Sequence, residues 1–347
     1  MLKLFKGAAI AGAAVAALTA SAGVTQAQEV TLRMHTFIPP VANPSKTFLI
    51  PWAEKVGKDS GGRIKVQPFW VMQLGGKAPQ LLDQAKDGVV DIVWALPGFT
   101  PGRMPRVEPF ELPFVHKDAL SSTLALQDFQ AKHLGPDLKN YRPLLLHVHD
   151  GFLFQTKDPI LKLADLKGKK LRAASRGGVW LLEALGATGV GLPLPQIPQA
   201  LSKGVIDGVT LPYEIAPAVK TAELVSHFST LSGSQPRLGT NVFTFLMNKD
   251  SYEKLPPDLR KVIDDNSGSN IAKAAGENWR RIETPGRKVI EAQAKNKFYV
   301  ISPKETAKMK AAAEPVFDRW YGEMKKIGID GPALVSDARA LIGKYSK

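Results

Sequence analysis

The chain has 347 residues, with 46 Lys and Arg against 32 Asp and Glu, a net charge of +14 and no cysteine. Without cysteine there are no disulfides, no thiolate metal sites and no lipid attachment at a processed N-terminus, so stability rests on core burial. Basic residues are scattered among acidic ones, which argues against nucleic-acid binding and is compatible with attraction of an anionic solute.

The N-terminus reads as an export signal. Lys3 and Lys6 form a short positive segment, an Ala-rich apolar run follows from Ala8 to Val24, and Thr25-Gln26-Ala27 fits a small-x-small cleavage site. Residues 1–27 are therefore expected to be removed, releasing a chain that starts near Gln28 into the periplasm. Removing Lys3 and Lys6 leaves 44 basic against 32 acidic residues, or +12. Nothing after residue 28 reaches the roughly 20 apolar residues of a spanning helix. About 320 residues exceed what one small core organises, so two lobes are expected.

Val30 to His35 alternates apolar and polar residues as a half-buried strand does, and Pro39, Pro40 and Pro44 then turn the chain. Helical spacing predicts a helix over Ser45 to Lys58, stopped by Ser60-Gly61-Gly62. Arg63 to Phe69 is a second strand, Ala78 to Asp87 a helix stopped by Gly88, and Val89 to Ala95 a buried third strand. This order predicts a doubly wound α/β lobe with a mostly parallel sheet. The cycle restarts with strands at Leu144 to His149 and Phe152 to Thr156. Strands at Lys169 to Ala173, Gly189 to Pro193 and Val205 to Leu211 follow, with helices at Val179 to Leu185 and Gln196 to Lys203 between them. Val242 to Asn248 reads as a further strand. A long helical stretch opens at Pro256-Pro257-Asp258, and Pro285-Gly286 is expected to kink or break it. Ser302-Pro303-Lys304-Glu305 is a capping box that opens a final amphipathic helix through Lys326.

No hydrolase, zinc-protease, phosphate-loop or dinucleotide motif occurs. His147 and His149 share a strand face and Asp150 follows them, a trio that can hold a metal; ordinary strand-end polarity is the preferred reading, because the six histidines are otherwise dispersed. No enzyme, cofactor or metal is expected.

Seven phrases then recur in a characteristic order. They are Phe69 to Gly76 (FWVMQLGG), Asp87 to Val93 (DGVVDIV), Glu111 to Val115 (ELPFV), Ala164 to Arg172 (ADLKGKKLR), Ala184 to Ala187 (ALGA), Gln199 to Gly208 (QALSKGVIDG) and Lys254 to Leu259 (KLPPDL). Together, across residues 30 to 325, they resemble the extracytoplasmic solute-binding subunits of TRAP transporters, the tripartite ATP-independent periplasmic family. The resemblance implies two α/β lobes joined by crossing strands and a shared long helix. It also implies closure around an organic acid and delivery to a membrane permease; the chain is expected to act as a monomer. The lobes are expected to comprise 28–149 with about 238–277, and 150–237 with about 278–345.

In the same resemblance, the arginine that ends the LKGKKLR phrase holds the substrate carboxylate, here Arg172. A planar guanidinium suits that task, because it donates two parallel hydrogen bonds and does not titrate. Other expected pocket positions are unusually apolar: Phe37, Trp94, Leu96, Phe152, and Leu211 where many relatives place asparagine. That pattern favours an aromatic or branched hydrophobic monocarboxylate over a sugar acid. Trp180 offers further stacking, Tyr213, Glu214 and Asn241 offer hydrogen bonds to a hydroxyl or keto group, and Arg176 offers a second anion contact. The alternatives are a dicarboxylate or sugar acid in the same cleft, or a periplasmic enzyme acting on a carboxylate.

Overall fold

The computed structural model describes residues 30–233 and 237–346; the expected leader, residues 1–27, lies outside the described residues. In chain order the strands are β1 (Val30–Thr36), β2 (Ile64–Phe69), β3 (Ile92–Ala95), β4 (Tyr141–Val148), β5 (Leu153–Thr156) and β6 (Lys170–Ala173). Then come β7 (Thr188–Gly191), β8 (Gly208–Leu211), β9 (His227–Leu231), β10 (Val242–Asn248) and β11 (Lys297–Ile301). They form two sheets, ordered β2-β1-β3-β10-β4 and β11-β9-β5-β8-β6-β7.

Each sheet is parallel apart from one strand. β10 runs against β3 and β4, and β5 runs against β8 and β9. The connectivity explains this. Strands fed by a helical crossover arrive parallel, whereas β5 and β10 are entered directly from the other sheet, through 149–152 and through the segment after β9. Gly151 makes the first crossing at φ 100°, and a Cβ there would lie 2.9 Å from Arg237 Cβ, so the turn requires glycine.

Helices cover both sheets. The helix Ile50–Asp59 buries Trp52, Ala53 and Val56, and the Trp52 indole donates to the Asn266 carbonyl at 2.8 Å. The 23-residue helix Ser269–Glu291 packs along Ala119–His133 beside the first sheet and reaches the 216–219 turn beside the second. Its Trp279 is fully buried against Phe48 and His147, with ring centroids at 5.1 and 3.9 Å.

Several elements differ from expectation. The long helix runs unbroken through Pro285-Gly286. Glycine is needed there for approach rather than for a break: a Cβ on Gly286 would come within 2.7 Å of Glu214 Cα. Strands expected from Val89 and Val205 begin at Ile92 and Gly208, because those two valines are about half exposed. The helix expected to end at Lys326 is two, Pro303–Ala313 and Pro315–Lys326, divided where Pro315 starts a new turn. Ser302 caps the first, its Oγ accepting from the Glu305 N–H at 3.3 Å with Pro303 at the first helical position. Helices Ala119–His133 and Gly331–Lys344 and strands β9 and β11 went unread in the sequence. Gly331–Lys344 packs across Ala119–His133, on the side of the first sheet rather than with the rest of 278–345.

Candidate functional site

The parallel strands of the two sheets end toward a common cleft, where α/β proteins place their ligands. A cavity lies there. Phe37 and Ile38 follow β1, Trp94 lies on β3 with Leu96 and Phe99 beyond it, and His149 follows β4. From the second sheet come Arg172 on β6, Ala174 after it, Leu194 after β7, and Leu211, Pro212, Glu214 and Ile215 at the end of β8. Asn241 and Phe243 line it at the start of the antiparallel β10.

The rings on one wall are mutually packed. Trp94 stacks on Phe243 at 4.5 Å and 12°, and on Phe37 at 5.3 Å and 24°, while Phe99 meets Phe37 edge-on at 5.2 Å. The Trp94 indole is fixed by donating to His147 Nε2 at 2.9 Å. Phe37, Trp94, Leu96 and Leu211 thus come together as the sequence led us to expect.

Arg172 is 2 % exposed. Its Nε donates to the Leu192 carbonyl at 2.7 Å, and no carboxylate pairs with the guanidinium among the described residues. Burial alone pushes its pKa down to about 9. A buried cation without a counter-ion is an unfavourable arrangement unless an anion arrives from outside.

The remaining polar lining is largely committed. His149 Nδ1 accepts from the Gly151 N–H at 2.9 Å, and Asn241 Nδ2 donates to Ser175 Oγ at 3.3 Å. Burial, aided by the charges of His116 and Arg237, holds His149 well below the ordinary histidine value, so it is neutral. The trio considered for a metal diverges. His147 is bonded to Trp94, His149 to Gly151, and Asp150 accepts from the Ala119 N–H at 3.0 Å.

Four of the expected positions lie elsewhere. Arg176 Nη2 pairs with Glu108 at 2.6 Å, and Trp320 Nε1 donates to the same carboxylate oxygen at 2.6 Å. With Trp180, over which its guanidinium sits at 5.4 Å, Arg176 lines an adjoining cavity. Tyr213 points away from the cleft between Arg237 and Arg287, whose guanidinium carbons sit 5.9 and 5.7 Å from its ring. Phe152 packs into a separate core with Phe154 and Leu171. Tyr213 lies in the turn beyond β8, and that turn carries its ring away from the cavity that Pro212 and Glu214 line. Ile38, Phe99, His149, Ala174, Leu194, Pro212, Ile215 and Phe243 line the cavity without having been anticipated. His149 and Phe243 were legible as residues flanking the two crossings.

Two α/β layers whose strand ends enclose a cavity with one unpaired arginine define a two-lobed ligand-binding protein. The family model for bacterial extracellular solute-binding proteins, family 7, matches residues 37–323, and the chain belongs to that family. Among solved structures, it resembles a marine metagenome TRAP solute-binding protein specific for aromatic acid ligands, in complex with metahydroxyphenylacetate. The identity is 46 %, the TM-score 0.90, and the match covers 92 % of this chain and 100 % of that one. A TRAP solute-binding protein from Rhodoferax ferrireducens with copurified benzoate is 44 % identical at a TM-score of 0.89, over 91 % of this chain and 98 % of that one. Among curated proteins, the outer membrane transporter protein TsaT of Comamonas testosteroni is 28 % identical, over 91 % of this chain and 93 % of its own length.

Proposed function

We propose that the chain is the periplasmic solute-binding subunit of a TRAP transporter, capturing an aromatic monocarboxylate at Arg172 and delivering it, as a monomer, to a membrane permease. The observation that carries this reading is the buried guanidinium without an acid partner, set in a cavity otherwise lined mainly by apolar and aromatic side chains. A carboxylate supplies the missing charge, and its two oxygens match the guanidinium fork. Phe37, Trp94 and Phe243 supply faces for a ring, each good aromatic pair adding about 0.5–1.5 kcal/mol. The aromatic acids held by the two similar structures support the same ligand class. A dicarboxylate is less well served, since Arg176 is occupied by Glu108 and lines the neighbouring cavity.

The ligand touches strand ends of both sheets, so it favours the closed arrangement by its differential affinity, and the permease reads that closed form. The lobes on this reading exchange chain at 149–152 and between β9 and β10. Residues 1–27 direct export on this reading and are removed in the course of it.

Thermal unfolding of ligand-stripped protein against a panel of organic acids tests this. A ligand at about 100 times Kd adds about 2.7 kcal/mol of stability. Benzoate and its relatives are expected to raise Tm, whereas succinate and glucuronate are not. Stabilisation by dicarboxylates or sugar acids alone would refute the reading.

A further inference from the structure

The cavity contains a second polar side chain with no partner. Glu214 is 3 % exposed just beyond β8, and its backbone is held on both sides: its N–H donates to Glu283 Oε1 at 3.1 Å, and its carbonyl accepts from Asn43 Nδ2 at 2.8 Å. Its carboxyl is held by nothing. Oε2 is buried without a hydrogen bond, and no ion pair engages the group among the described residues. With both ring nitrogens of His149 and the amide nitrogen of Asn241 already bonded to protein, Arg172 and Glu214 are the ionisable side chains of the lining that lack an opposite charge among the described residues.

The two come from neighbouring strands of the second sheet. Arg172 lies within β6 in register with Val209 of β8, and Glu214 comes five residues after Val209, past the turn at Pro212. Burial, reinforced by the carboxylate of Glu283, raises the Glu214 pKa well above the ordinary value. Glu283 is itself paired with Arg237 at 2.7 Å. That shift favours the protonated carboxyl, which gives one hydrogen bond and accepts another without repelling an anion on Arg172.

Building on the aromatic-acid reading, we propose that Glu214 recognises a ring hydroxyl, so that the preferred ligands are hydroxylated aromatic monocarboxylates held by Arg172 at the carboxylate and by Glu214 at the hydroxyl. A lone buried hydrogen-bonding group selects for the substituent that satisfies it, because a ligand lacking that substituent leaves the group unpaired.

Calorimetric titration of ligand-stripped protein with benzoate, its 2-, 3- and 4-hydroxy isomers and 3-(aminomethyl)benzoate tests the assignment. At least one hydroxy isomer is expected to bind about fivefold tighter than benzoate. Glu214→Leu should bring that ratio to within about twofold, while Glu214→Gln, which keeps a donor and an acceptor, should keep most of it. If the leucine variant does not fold, Glu214→Ala gives the same readout. Failure of benzoate and every hydroxy isomer to bind removes the aromatic-acid reading itself. Binding of benzoate with no gain from any hydroxyl, or an unaltered ratio in Glu214→Leu, removes only the role of Glu214. Preference for the ammonium-bearing 3-(aminomethyl)benzoate overturns it too, by showing an ionised Glu214 that reads a cation.

Discussion

Replacing Arg172 with methionine should stabilise the empty protein and abolish binding, two effects of opposite sign from one side chain. The depression of its pKa to about 9 is entirely a burial cost, and a depression of that size is worth roughly 5 kcal/mol. Methionine removes that cost and fills similar volume. It also strips the Leu192 carbonyl of its 2.7 Å donor, which returns about 1.5–3 kcal/mol. The net expectation is a gain of roughly 2–3 kcal/mol, raising Tm by about 2–4 °C per kcal/mol. Binding loses two charge-assisted hydrogen bonds, on the order of 3–5 kcal/mol, or about a hundred- to several thousandfold in Kd. Thermal unfolding of stripped protein and calorimetry with benzoate measure both. A variant that is less stable than wild type, yet binds benzoate within about threefold of it, would mean that Arg172 is structural and that the site is misplaced.

Three further outcomes follow from other contacts. Gly286→Ala should lose roughly 1–3 kcal/mol and weaken ligand binding, because the new methyl would sit 2.7 Å from Glu214 Cα; a more stable variant, the result that helix propensity alone gives, would contradict the close approach. Glu111 is pushed up to about 7 by burial, against the hydrogen bond from the Val242 N–H. The folded protein holds that proton more tightly than the unfolded chain does, so the contribution to stability is full below about pH 4.5 and is lost as pH rises through 7. Glu111→Gln should therefore gain on wild type by roughly 2–3 kcal/mol between pH 5 and pH 8 in urea unfolding, and a constant difference would disprove the assignment. Finally, Glu108→Gln weakens the ion pair tying the segment after β3 to the helix Arg176–Ala184. It should speed ligand dissociation about five- to fiftyfold in stopped flow, since that link spans the two sides of the cleft; an unaltered rate would show that the pair does not hold the cleft closed.

What the sequence disclosed tracks where local pattern and tertiary environment agree. β1, β6 and β10 alternate or run apolar between clear turns, and the phrase ending at Arg172 placed the arginine on the strand that faces the cavity. The helix Ala119–His133 was illegible for a physical reason. It is enclosed by β4, Ser269–Glu291 and Gly331–Lys344, so it shows no polar face, and its buried positions include Ser121, Ser122, Thr123 and Gln127. Those groups look like surface until their partners are known: Gln127 Nε2 donates to the carbonyls of Thr123 and Leu146. Strands β9 and β11 are short, and β11 lies at a sheet edge with Val300 exposed, so no apolar run marks it. Within the site, residues named by strand position were placed well, whereas those beyond a strand end depended on which way the turn faced. That is why Glu214 was found in the cavity and Tyr213 outside it.

The unbroken passage of the long helix through Pro285 has a mechanical corollary. Pro285 has no N–H to give to the Arg281 carbonyl, so the rod is most compliant in the turn that lacks that bond. That turn is the one pressed, through Gly286, against the backbone of Tyr213 and Glu214. Flexure of the rod therefore transfers directly into the wall of the cavity, and a guest that fixes that wall stiffens the rod in return.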